Sequence, residues 1–164
     1  MEKFIQMYCG CGKGKTAAAL GWSIMRASEG KSVFLVSFLK GKSTYSKEYL
    51  QRLEPEIQIF TFDRYERNYD ELTESEQEDE KAHIRTGINF ARKVLDTDEC
   101  DVLVLDELLD LDKNHLVTFD ELKELIQAAD GEMELILTGS ERCRELWPYV
   151  DKVTELDTIH SREK

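Results

Sequence analysis

The run "SVFLVSF" at residues 32–38 is apolar on both of its faces. Successive side chains of a strand point to opposite sides, so such a segment needs cover above and below, as in a parallel sheet with helices on each side. It belongs to a series. Strand-like runs at 4–8, 32–38, 57–62, 101–108, 134–139 and 152–155 alternate with longer helical stretches. The first predicted helix spans 15–29, with Ala18, Leu20, Trp22, Ile24 and Met25 as its apolar surface and Gly30 as its C-terminal cap. A short helix follows the polar stretch 40–47 and precedes Pro55. Thr73 and Glu76 form a capping box for a helix that carries Ile84, Ile88, Ala91 and Leu95 at helical spacing. Thr118 and Glu121 cap the next, which ends near Ala129, and residues 143–147 form a short helix stopped by Pro148. The acidic run 74–80 reads as a solvated helix end favoured by the macrodipole. This alternation predicts an α/β fold, a predominantly parallel sheet flanked by helices on both faces.

A chain of 164 residues is enough for one domain with a real core, and a single domain over 1–164 is expected. A net charge of −12 repels nucleic acid over most of the surface. No apolar run approaches the roughly 18 residues of a membrane span, and the N-terminus lacks the features of a secretory signal, so a cytoplasmic location is expected. The four cysteines, Cys9, Cys11, Cys100 and Cys143, read as reduced thiols.

The chemistry gathers after the strands. "CGCGKGKT", Cys9 to Thr16, follows the first strand and opens the first helix. The usual phosphate loop is G-x-x-x-x-G-K-[ST], which puts a glycine at position 9; here position 9 is Cys9 and the glycine comes one residue late, at Gly10. Gly10, Gly12 and Gly14 read as positions where backbone N–H groups approach phosphate oxygens at a helix N-terminus. Lys15 neutralises phosphate charge and Thr16 ligates Mg²⁺ through its hydroxyl. Lys13 and Lys15 follow strand one, Lys40 and Lys42 strand two, and Arg64 and Arg67 strand three, while Asp106 and Glu107 end strand four as a Walker-B pair facing the metal. Ligands of open parallel sheets bind at those C-terminal ends, so an acidic chain has collected cations where an anionic ligand sits. The expected ligand is MgATP on a P-loop NTPase-like domain.

"GCGKGKT" with "AAALG", then "FLKG" at 38–41, "VLDEL" at 104–108, "LTG" at 137–139 and the closing "VDKVTELDTIHS" together resemble the P-loop ATP:corrinoid adenosyltransferases over nearly the whole chain. That family's loop reads G-[ND]-G-K-G-K-T, with its first glycine displaced in the same way. The resemblance implies that a corrinoid reduced to Co(I) attacks C5′ of ATP and expels triphosphate, with no general base. It implies that Gly10, Cys11, Gly12, Lys13, Gly14, Lys15, Thr16 and Ala17 hold the nucleotide and that Lys15 and Lys40 serve the reaction, Lys40 at the triphosphate or ribose region. It further implies that Thr16, Asp106 and Glu107 meet Mg²⁺, with Glu107 also counted among the nucleotide contacts, and that the protein is a homodimer.

The departures concern the second substrate. Family members carry "GF-x-W" after the third strand, whereas this chain has "FTFDRYERNY", with Phe62, Tyr65 and Tyr69 as the aromatic residues. The family's "TGR" is here "TGS" with Arg142 nearby, and Ile159 precedes His160 where the family has "KH". Two alternatives stay open beside adenosyl transfer: an ATP-binding paralogue without that activity, favoured by the missing tryptophan, and a P-loop phosphotransferase or NTPase.

Overall fold

The computed structural model describes residues 2–38, 46–62, 64–113, 115–129 and 131–162. Six strands, β1 (Phe4–Cys9), β2 (Val33–Ser37), β3 (Ile57–Thr61), β4 (Val102–Asp106), β5 (Glu134–Thr138) and β6 (Lys152–Glu155), form one sheet in the order β3-β2-β4-β5-β1-β6. Every neighbouring pair is parallel. All six C-terminal ends therefore open on the same edge, and the loops that leave them share that edge. The helices are α1 (Lys15–Ser28), α2 (Lys47–Leu50), α3 (Glu74–Thr97) and α4 (Phe119–Gln127).

Burial follows the two-sided pattern that consecutive apolar residues demand. On one face, Val33, Leu35, Val102, Val104 and Ile136 pack against Ala19 of α1. On the other, Val36, Leu103, Leu105, Leu135 and Leu137 pack with Ile84, Ile88 and Ala91 of α3 and Leu122, Leu125 and Ile126 of α4. The arrangement is an α/β fold of the P-loop type, with helices on both faces of a parallel sheet.

Local signals in the sequence mark the helix starts. Thr73 accepts the N–H of Glu76 while the Glu76 side chain accepts that of Thr73, and Thr118 and Glu121 repeat the exchange at α4. The apolar surface of α1 differs from expectation. Its buried positions are Ala19 and Ser23, one turn apart, flanked by half-buried Ala18, Leu20 and Trp22, whereas Ile24 and Met25 are exposed. Small residues let the helix lie close to the sheet, and at 100° per residue that turns Ile24 and Met25 outward. A buried carboxylate pins the same helix farther along: Glu134 accepts hydrogen bonds from Trp22 Nε1, from Arg26 Nε at 2.8 Å and from Gln6 Nε2 at 3.2 Å.

A second difference lies at Pro148. It sits inside a 3-10 segment, Arg144–Tyr149, rather than ending a helix before it. Proline removes only one donor, and the bonds from Leu146 N–H to Cys143 O and from Val150 N–H to Trp147 O carry the segment past it.

Candidate functional site

The N-terminus of α1 is built differently from those of α3 and α4. Its N-cap is Gly14 in the left-handed region at φ 109°, and no side chain caps it. The first-turn N–H groups thus point past the end of β1 with the positive end of the helix dipole behind them, an arrangement suited to an anion. Lys15 arcs back over the loop and donates to Gly10 O at 2.8 Å and Gly12 O at 2.7 Å. Its ammonium therefore both ties the loop and stands beside the anion position. Cys11, Lys13, Gly14 and Ala17 are exposed around that position.

Gly10 and Gly12 have a further reason to lack side chains. The chain leaving β6 runs directly over the loop: Gly12 N–H donates to Leu156 O at 2.8 Å, and Leu156 N–H donates to Cys9 O at 2.8 Å. A Cβ on Gly10 would lie 2.6 Å from Leu156 O; one on Gly12 would lie 2.6 Å from the same oxygen and 2.8 Å from Asp157 Cα. The close approach at these two positions is thus to the protein's own C-terminal segment. The N–H of Gly12, expected to face phosphate, is already donated.

Asp106 closes the other side. It is fully buried, and it accepts from Thr16 Oγ1 at 2.9 and 3.1 Å and from Thr138 Oγ1 at 2.6 Å. Ser37 stands opposite Asp106 in the β2–β4 register, and among the described residues its buried hydroxyl has no hydrogen-bond partner. Alternation puts both side chains on the α1 face. A hydroxyl, a carboxylate and a second hydroxyl with unused capacity form an all-oxygen set that suits a partly hydrated Mg²⁺ arriving with phosphate oxygens. Among the described residues no group of three or more His, Cys, Asp or Glu stands ready to hold a metal.

The chain turns sharply after Asp106. Glu107 adopts φ 65°, donates its N–H to Thr138 Oγ1 at 2.8 Å, and lines a cavity of about 270 Å³. The two acids expected to face one metal are thereby separated: Asp106 meets Thr16, and Glu107 lines the cavity. Tyr65, Asn68, Tyr69 and Glu80 wall the cavity from the β3–α3 side, and Asp110 and Ser140 from the other. Burial raises the Tyr69 phenol above its ordinary range, with nearby acids adding to it. Tyr65 donates to Asp79 Oδ2 at 2.9 Å, which is the main cause of its raised pKa.

Other residues singled out by the sequence fall elsewhere. Phe62 packs against Phe90, with ring centroids 5.5 Å apart, and against Gly87, where a Cβ would meet it at 2.7 Å. It is a packing residue. Arg64 and Arg67 pair with Asp79 and Glu76 of α3 at 2.6 and 2.5 Å, so these two cations are neutralised locally. Arg142 pairs with Glu155 beside the loop, and His160 is exposed. Lys40 and Lys42 lie outside the described residues. Sequence reasoning missed Glu80, which is 3% exposed although it closes the acidic run 74–80 taken as solvated. The usable signal was its spacing, four residues before Ile84 on the buried stripe of α3.

Residues 1–163 match the family described as ATP:corrinoid adenosyltransferase BtuR/CobO/CobP. The corrinoid adenosyltransferase of Escherichia coli (strain K12) is 31% identical over 167 aligned positions, covering 94% of this chain and 76% of that protein. The corrinoid adenosyltransferase CobA of Salmonella typhimurium (strain LT2) is 29% identical, with the same 94% and 76% coverage. Among solved structures, a KaiC-like protein from Pyrococcus horikoshii aligns with a TM-score of 0.46 at 18% identity, over 85% of this chain and 61% of that one. On the extent of the family match and the 31% identity to the Escherichia coli protein, this chain belongs to the ATP:corrinoid adenosyltransferase family.

Proposed function

We propose that this chain, acting as a single domain, transfers the 5′-deoxyadenosyl group of MgATP to a Co(I) corrinoid and releases triphosphate. The cobalt electron pair forms the bond to C5′, and the pair of the broken C5′–O bond leaves with the triphosphate. The observation that carries the reading is the split at Asp106 and Glu107. Of these consecutive residues, Asp106 accepts from Thr16 behind the phosphate loop, whereas Glu107 lines the cavity that Tyr65 and Tyr69 also line.

In this reading the first-turn N–H groups of α1, including that of Ala17, and the Lys15 ammonium stabilise the charge that develops on the leaving triphosphate. Thr16 and Asp106 hold Mg²⁺, which supplies charge neutralisation at the phosphates. Gly10, Cys11, Gly12, Lys13 and Gly14 shape the loop around them. Lys40 is assigned to the triphosphate or ribose region from the sequence resemblance alone. Glu107 borders the acceptor rather than the metal. A second reading, an ATP-binding relative without transfer, draws on one observation: Phe62 is committed to Phe90 and Gly87, which leaves two tyrosines where the family carries its aromatic pair.

An anaerobic assay with MgATP and chemically reduced cob(I)alamin tests the proposal. Light-sensitive adenosylcobalamin together with free triphosphate, both lost in Lys15→Ala, is the expected result. ATP binding with neither product, across cobalamin and a smaller corrinoid, would replace it with the second reading.

A further inference from the structure

The buried stripe of α3 runs through Ile84, Gly87, Ile88, Ala91, Val94 and Leu95, and its first member is a carboxylate, Glu80. Burying a carboxylate is costly unless donors surround it, so the donors it has chosen are informative. Two are backbone N–H groups of the segment that leaves β3. Glu80 Oε2 accepts from Arg64 N–H at 3.0 Å and from Tyr65 N–H at 3.2 Å, and Oε1 lies 3.3 Å from Arg64 N.

The same helical turn holds the segment at two more points. Asp79 accepts from the Tyr65 hydroxyl at 2.9 Å, and Gln77 Nε2 donates to Tyr69 O at 3.0 Å. Asp79 and Gln77 are only half-buried, whereas Glu80 is enclosed. A backbone N–H bound to an enclosed anion is shielded from water, and such charge-assisted bonds are about twice as strong as neutral ones. Tyr65 and Tyr69, which these bonds hold, are cavity wall, and Glu80 itself lines the cavity.

We propose that Glu80 is a positioning residue for the acceptor cavity: its buried carboxylate clamps the backbone at Arg64 and Tyr65, giving the aromatic wall its shape before any substrate enters. The assignment of the cavity to a corrinoid rests on the proposed function; the clamp itself does not. Among the described residues, these bonds from Glu80 go to Arg64 and Tyr65 rather than to the phosphate loop or the Thr16–Asp106 pair. Its loss is therefore felt by the acceptor and not by the nucleotide.

Two measurements test it. Amide exchange on the wild-type protein alone should show the N–H groups of Arg64 and Tyr65 protected at least tenfold relative to exposed amides of the same segment. In Glu80→Gln that protection should fall by about tenfold, with β4 amides unchanged, and Glu80→Asp should restore part of it. In the transfer assay, Glu80→Gln should raise the KM for cob(I)alamin about tenfold while leaving the KM for MgATP within about twofold. Unprotected amides in the wild type overturn the proposal whether or not the variant folds, and so does a Glu80→Gln protein with wild-type exchange and both KM values unchanged. A wild type that turns over no corrinoid removes the proposed function, and amide exchange then decides the clamp by itself.

Discussion

Thr16 and Asp106, 90 residues apart in sequence, meet through a hydroxyl that donates to both carboxylate oxygens at 2.9 and 3.1 Å. The contact joins the first turn of α1 to the end of β4, and it brings together the two oxygens best suited to share a cation with phosphate. Asp106→Asn keeps the shape and removes the charge. We expect it to abolish most of the Mg²⁺-dependent part of ATP affinity, a loss of about tenfold or more, with little change in metal-free binding. Calorimetric titration with and without Mg²⁺ checks this; an unaltered Mg²⁺ dependence would take Asp106 out of the metal site.

Gly12 bears on the loop from behind. A methyl group there meets Leu156 O and Asp157 Cα, and both are main-chain atoms that cannot swing aside. Gly12→Ala should cost about 1–3 kcal/mol of stability and weaken nucleotide binding along with it, because the segment after β6 must shift. Chemical denaturation with parallel nucleotide titration reads both quantities. A stable variant with weakened binding would instead mean that Gly12 serves phosphate directly.

The cysteines offer a probe that leaves the chain unmutated. All four are free thiols; Cys11 is exposed, Cys9 and Cys100 are buried, and Cys143 is half-buried with its thiol 3.6 Å from Leu109 O. Burial pushes Cys100 and Cys143 up to about 12 and raises Cys9 as well. Since the thiolate is the reactive form, a disulfide reagent at pH 8 should modify one thiol rapidly, Cys11, and MgATP should slow that reaction. Mass spectrometry of the labelled peptide identifies the site, and MgATP-independent labelling would count against a nucleotide over the loop.

Acid stability should report on the cap of α4. The Thr118 N–H, and after it the Arg85 guanidinium, hold Glu121 below its ordinary value of 4.5. A depressed carboxyl contributes stability above the pKa of the unfolded chain, and that contribution disappears as pH falls through the lower folded value. Glu121→Gln should therefore lower stability at pH 7 and flatten the acid limb of the stability curve below about pH 4.5. Melting temperatures from pH 7 to 3 test the sign; a variant curve parallel to that of the wild type would contradict it.

How far the sequence was legible depended on how local each cause was. Capping boxes act within one turn, so Thr73–Glu76 and Thr118–Glu121 could be read directly and stand where expected. Consecutive apolar residues announced the two-sided sheet. The failures share a different origin. Ile24 and Met25 look like core by composition, but Ala19 and Ser23 decide how closely α1 lies on the sheet. Glu80 looks like one more surface acid until the chain after β3 arrives to use it, and the Gly12 N–H, open in the sequence, is taken up by Leu156 O at 2.8 Å. In each case the deciding partner comes from a distant part of the chain, which no window of neighbouring residues contains.

The pairing of β6 beside β1 has a consequence in the order of synthesis. The phosphate loop leaves the ribosome well before its buttress, since Gly12 and Leu156 bond across most of the domain's sequence. A nascent chain therefore carries an unbuttressed loop until β6 and the residues after it have been made and β6 has paired with β1.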